Sequence, residues 1–170
     1  MMENASSRPR HPVVVGVAPG QAGHIVRQAA AFAARFGTEL VCAHVNQGRY
    51  PVAEAADGSV SSASIDPDFA DDEAFDADLA AALAELLLDT QVPWRTVALA
   101  GEVSTALARL AHTLDAAMIV VGTHQHSVGG SVQEFFNRSV ATHLAHRQER
   151  PVVVVPARSP RASQLPFEAP

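Results

Sequence analysis

Residues 13–17 read Val-Val-Val-Gly-Val, and Pro19-Gly20 closes the run. Every position from 13 to 17 is apolar or glycine, the pattern of a strand covered on both faces rather than one side of an open sheet. The next segment changes period. Between His24 and Phe36, the residues Ile25, Ala29, Phe32 and Phe36 fall on one helical face, and Gly37 ends the helix. Leu40 to Val45, apolar except for His44, gives a second strand.

The alternation continues along the chain. Phe75, Leu79, Leu83, Leu86 and Leu87 mark a second helix, and Trp94 to Leu99 a third strand. Val103, Leu107, Leu110 and Leu114 define a third helix after Gly101, followed by a fourth strand from Met118 to Gly122. Phe135 or Phe136, Val140 and Leu144 mark a fourth helix. Pro151-Val152-Val153-Val154-Val155-Pro156 is a fifth strand, bracketed by prolines as an edge strand tolerates. Strands alternating with helices require right-handed crossovers and a parallel sheet with helices on both faces. The fold class is therefore α/β.

Residues 46–68 stand outside this pattern. Glycine, proline, serine and acids follow one another without a period, over a length unusual for a connection. The expectation is a long mobile surface loop. Its acids (Asp66, Asp68, Asp71, Asp72, Glu73, Asp76, Asp78) lack the glycine and terminal glutamate of a calcium loop, and several precede the second helix, where the positive dipole end favours them. Residues 1–11 and 158–170, rich in proline, serine and arginine, read as disordered tails around a domain over 12–157.

At 170 residues the chain is sized for one domain, which needs neither disulfide nor metal for stability. A single cysteine, Cys42, excludes an intrachain disulfide. It also sits in an apolar strand, where a thiol behaves as a small hydrophobe. All 12 basic residues are arginine, so Schiff-base chemistry and a Walker A lysine are excluded. A net charge of −6 without a basic stripe argues against nucleic-acid binding. No apolar run approaches the ~20 residues of a membrane span, and residues 1–11 lack a signal core. The expected location is cytoplasmic, with no membrane partner.

In open parallel sheets, ligands bind beyond the carboxyl ends of the strands where the strand order reverses. The richest loop there follows the fourth strand: Gly122-Thr123-His124-Gln125-His126-Ser127-Val128-Gly129-Gly130-Ser131, leading to Asn137-Arg138-Ser139-Val140. Glycines let backbone amides approach an anion, and a helix start adds free N–H groups. Ser139 reads as an N-terminal cap of the fourth helix. His124 and His126, and His143 and His146, are spaced for metal ligation, but no zinc motif accompanies them; no metal site and no catalytic residue is assigned. His44, at a strand end, reads as a hydrogen-bonded, partly buried histidine.

Taken together, Val13-Val14-Val15-Gly16-Val17, Ala43-His44-Val45, Met118-Ile119-Val120-Val121-Gly122-Thr123, Arg138-Ser139-Val140-Ala141-Thr142-His143-Leu144 and Pro151-Val152-Val153-Val154-Val155 occur in the order seen in the universal stress protein family, which the chain resembles from about Pro12 to Ala157. The resemblance implies a Rossmann-like open five-stranded parallel sheet of order 3-2-1-4-5 and a homodimer, often through the last strand. In one branch it also implies ATP binding, with magnesium, through a G-x2-G-x9-G-S/T loop. Carried onto this sequence, the nucleotide-binding positions are Val17, Ala18, Val45, Val121, Gly122, Ser139 and Val140. Gly129 and Gly130 are candidates to replace a lost loop glycine.

Three positions depart from the family pattern. The acid after the first strand is Ala18, the second loop glycine is Gln125, and the glycine before Ser139 is Arg138. The resemblance thus implies a stress-response module that binds an adenine nucleotide weakly or conditionally, with at most slow ATP hydrolysis. The alternative is a nucleotide-free member acting through protein–protein contacts.

Overall fold

The computed structural model describes residues 11–21, 23–66, 68, 73–123 and 136–156, with 136–139 as backbone only. Val13–Gly16 (β1) is followed by Gly23–Phe36 (α1) and Leu40–Asn46 (β2). Next come Arg49–Glu54 (β3) and Val60–Ser64 (β4), then Ala77–Leu86 (α2) and Trp94–Ala100 (β5). Val103–Thr113 (α3), Met118–Gly122 (β6), Phe136–Arg147 (α4) and Val152–Val155 (β7) follow as the last elements among the described residues.

The main sheet has five parallel strands in the order β5-β2-β1-β6-β7. Numbering only the strands of this sheet along the chain, that is 3-2-1-4-5, as the resemblance implied. The proline-bracketed run Val152–Val155 lies at one edge, a position that tolerates flanking prolines. β1, at the centre, is sealed from both sides: Val13, Val14 and Val15 have no exposed surface. Alternation along the strands splits the interior into two layers. Val13, Val15, Cys42 and Val120 pack with Ile25, Ala29 and Ala33 of α1 and Leu83 of α2. Val14, Val41, Ile119 and Val121 pack with Leu107 and Leu110 of α3 and Val140 and Leu144 of α4.

Acids set two helix starts. The Asp76 side chain accepts from Leu79 N at 2.7 Å, capping α2. Glu102 does the same for α3, accepting from Ser104 N at 2.9 Å and Thr105 N at 2.8 Å. Each satisfies helix amides that otherwise have no partner.

Two expectations are corrected. Residues 46–68 are not irregular: β3 and β4 form a separate antiparallel hairpin within them, with a bulge between Pro51 and Ala53. The physical reason is tertiary. Arg49 is buried in the hairpin, its Nε on Ser62 Oγ at 2.8 Å and a terminal nitrogen on Ser62 O at 2.7 Å. The tip docks on α3, where Gly58 (φ +83°) leaves room that a Cβ would lose to Leu110. Ser59, Ser61, Ser62 and Ser64, together with Pro51, gave this hairpin no apolar period to read. The second correction concerns Ser139. Ser139 lies inside α4, Phe136–Arg147, with helical residues before it, and so is not the cap.

Candidate functional site

The parallel order brings the carboxyl ends of β1, β2 and β6 together at one edge of the sheet. From β1 the chain runs outward to β2 and β5, then crosses back to β6 and β7. The strand order therefore reverses between β1 and β6, the point where open sheets form a ligand crevice. Val17-Ala18, Val45 and Val121-Gly122 stand at this edge. Gly129 and Gly130, with Gln125, lie outside the described residues, as do His124 and His126.

Most of the described positions contribute backbone here rather than side chain. Val17, Val121 and Val140 are buried in the core. Val17 N donates to Ala43 O at 2.8 Å, and its carbonyl accepts from His44 Nδ1 at 3.0 Å. The His44 ring also meets Phe75 edge-on, with centroids 6.1 Å apart. His44 thus ties β2 to the end of β1, as a structural histidine does. Val45 is half-buried and Ala18 exposed, so the position where the family pattern has an acid offers only a methyl group and its peptide.

Gly122 has a packing role that the sequence did not disclose. A Cβ there would collide with Ile25 Cδ1 and lie 3.2 Å from Ile25 Cγ1 and from Gln21 Nε2. The next amide, Thr123 N, is committed to Val155 O at 2.9 Å. Gly122 therefore lets α1 close onto β6, whatever a ligand requires of it.

The residue that sequence reading missed is Gln21. Its Nε2 donates to Gly16 O at 3.1 Å, and its Oε1 accepts from Ala18 N at 3.2 Å. The carboxamide thus sits between the end of β1 and Gly122. No periodicity marks it; the one local cue is its place in the turn after Pro19-Gly20, where Gln21 N donates to Ala18 O.

Among the described residues, one further helix start was a candidate anion position. The start of α3, a natural anion site, already holds the Glu102 carboxylate. Partial burial pushes that carboxyl's pKa up, but hydrogen bonds from Thr105 and Ser104 outweigh it and bring the value down to about 2. Among the described residues, no three His, Cys, Asp or Glu side chains gather as a metal site. Burial pushes the Cys42 thiol up to about 12, leaving no thiolate at neutral pH. No described helix is long and apolar enough to cross a membrane.

This arrangement has counterparts among known proteins. Of the solved structures, a universal stress protein from Archaeoglobus fulgidus matches with TM-score 0.59 at 18% identity, over 85% of this chain and 92% of that one. A universal stress protein in complex with cAMP gives 0.55 at 21% identity, covering 88% and 98%. One from Archaeoglobus fulgidus in complex with dAMP gives 0.57 at 19% identity, covering 87% and 99%. At such identities the likeness bears on the fold alone. A search of curated proteins found no match. The family model described as the universal stress protein family matches residues 9–156, which takes in every strand and helix described above. The chain belongs to the universal stress protein family.

Proposed function

We propose that this protein binds an adenine nucleotide, ATP with magnesium included, in the crevice between the ends of β1 and β6, and works as a homodimeric stress-response module in the cytoplasm. The observation that carries the reading is the strand-order reversal at β1 and β6 in a member of this family. Two structural neighbours, solved in complex with cAMP and with dAMP, support the ligand class. The contacts we assign are the peptides of Val17, Ala18, Val45, Val121 and Gly122, with Gly129, Gly130, Ser139 and Val140 from the following loop and helix. Ala18 has no carboxylate to hold a ribose or a metal, so affinity is weak or conditional. The edge strand β7, with Val154 exposed, is the assigned dimer contact.

Thermal melting with and without AMP, ATP and ATP-magnesium tests the reading. Nucleotide at 100 times its dissociation constant adds about 2.7 kcal/mol. At about 2–4 °C per kcal/mol for a chain of this size, the midpoint rises by about 5–11 °C. No shift at millimolar nucleotide favours the second reading, a nucleotide-free module acting through protein contacts. That reading has its own support in the exposed Tyr50, Val52 and Ile65 on and beside the β3–β4 hairpin.

A further inference from the structure

The hydrogen bonds of Gln21 acquire a meaning from the register of the sheet. On β1, Val13 N donates to Glu39 O and Val17 N to Ala43 O, so odd-numbered residues turn their peptides to β2 and even-numbered ones to β6. On β6, Ile119 N donates to Pro151 O and Thr123 N to Val155 O, so odd-numbered residues turn to β7 and even-numbered ones to β1. The pairing of β1 with β6 runs Val13–Met118, Val14–Ile119, Val15–Val120 and stops there. Extended by one step, the same register gives Gly16 O a bond from Gly122 N–H and Ala18 N–H a bond to Gly122 O. In the structure both β1 groups are instead taken by Gln21: Nε2 to Gly16 O at 3.1 Å, Ala18 N to Oε1 at 3.2 Å. A side-chain amide stands where the next peptide of β6 would have stood. It does so at the point where the strands part and the crevice opens.

We infer that Gln21 is an internal competitor for the nucleotide site, and sets its affinity by occupying Gly16 O and Ala18 N–H until a ligand replaces it. This deepens the reading of the crevice as an adenine-nucleotide site and rests on it. One acceptor and one donor are exposed when the carboxamide swings out. A nucleotide has hydroxyl and ring-edge groups of both kinds to meet them, whereas inorganic phosphate has no equivalent ring edge. The two bonds lie in a turn that is only partly buried. Water can therefore serve the freed groups, and the exchange is one of near-equal partners. A site whose competent form is only fractionally populated shows an affinity reduced by that fraction.

The test is calorimetric titration of the full chain with AMP, wild type beside Gln21→Ala and Gln21→Asn. The asparagine variant keeps a carboxamide but is one methylene short of spanning both groups. Both variants are expected to bind AMP about ten-fold more tightly than wild type, as release of a competitor occupying about nine-tenths of the sites would give. In wild type, the Gln21 side-chain NH2 signals in ¹⁵N-resolved spectra are expected to move on saturation with AMP. This readout needs no variant, and release from Gly16 O and Ala18 N brings the two NH2 protons toward free-carboxamide shifts, whereas a nucleotide bound beside an undisplaced Gln21 leaves them in their hydrogen-bonded positions. Equal or weaker binding by folded variants, or unmoved Gln21 signals at saturation in wild type, overturns the competition while leaving the nucleotide site standing. Failure of wild type and both variants to bind AMP overturns the site itself, and the competition with it.

Discussion

Gly122→Ala isolates the contact that closes α1 onto β6. The new methyl group falls on Ile25 Cδ1 and only 3.2 Å from Cγ1. Ile25 is 1% exposed and packed in the layer with Val15, Val120 and Ala29, so it has no free space to swing into. Overpacking of this kind costs about 1–3 kcal/mol, offset by about 0.5–1 kcal/mol because alanine replaces a flexible glycine in a strand. The net loss expected is about 1–2 kcal/mol, a fall in melting temperature of about 2–8 °C. Ile25→Val alone removes Cδ1 and costs about 0.5–1.5 kcal/mol. In the double variant the alanine methyl enters the space that Cδ1 left. The pair is then expected to be about 1 kcal/mol more stable than the sum of the single losses predicts. Urea denaturation of all four proteins, read as midpoint and slope, supplies the cycle. Losses that add to within about 0.5 kcal/mol would refute the assigned clash, and a stabilising Gly122→Ala would refute the packing of α1 on β6 as described.

Two further outcomes follow from the local chemistry. The Glu102 carboxyl is held at about 2 in the folded protein against an ordinary 4.5, so its stabilising contribution is complete above pH 4.5 and drains away as pH falls toward 2. Because the group is largely solvated, its worth is that of a helix cap, about 1 kcal/mol. Glu102→Ala should lose that amount at pH 7 and flatten the acid side of the stability profile measured by urea melts between pH 3 and 7. Cys42 has no exposed surface and a thiol raised to about 12, so a thiol reagent at pH 8 should react only at the rate of unfolding. Fast labelling of the native protein, without denaturant dependence, would contradict its burial.

How far the sequence could be read depended on whether an element's burial is written in its own period. The run at 13–17, the helical face through Ile25 and Ala29 and the proline-bracketed valines at 152–155 each carry that record, and these elements form, although Phe36, read on the same helical face, ends exposed. Asp76 was legible only as one of several acids favoured near the start of α2; that it is the cap is seen in the structure. Gly122 was legible as a loop glycine at a strand end, but not as the residue that makes space for Ile25, which lies 97 positions earlier in the chain.

By itself, then, the sequence determined the alternation of strands and helices, the parallel sheet that alternation requires, and the sheet edge at which a ligand would sit, since all three follow from local periodicity and handedness. Only the tertiary structure decided that residues 49–64 fold as a hairpin, because its serines and proline acquire order through buried Arg49 and docking on α3. Only it decided what lies in the mouth of the crevice. The place of Gln21 depends on the register between β1 and β6, strands more than a hundred residues apart, and no local pattern records where two such strands stop pairing.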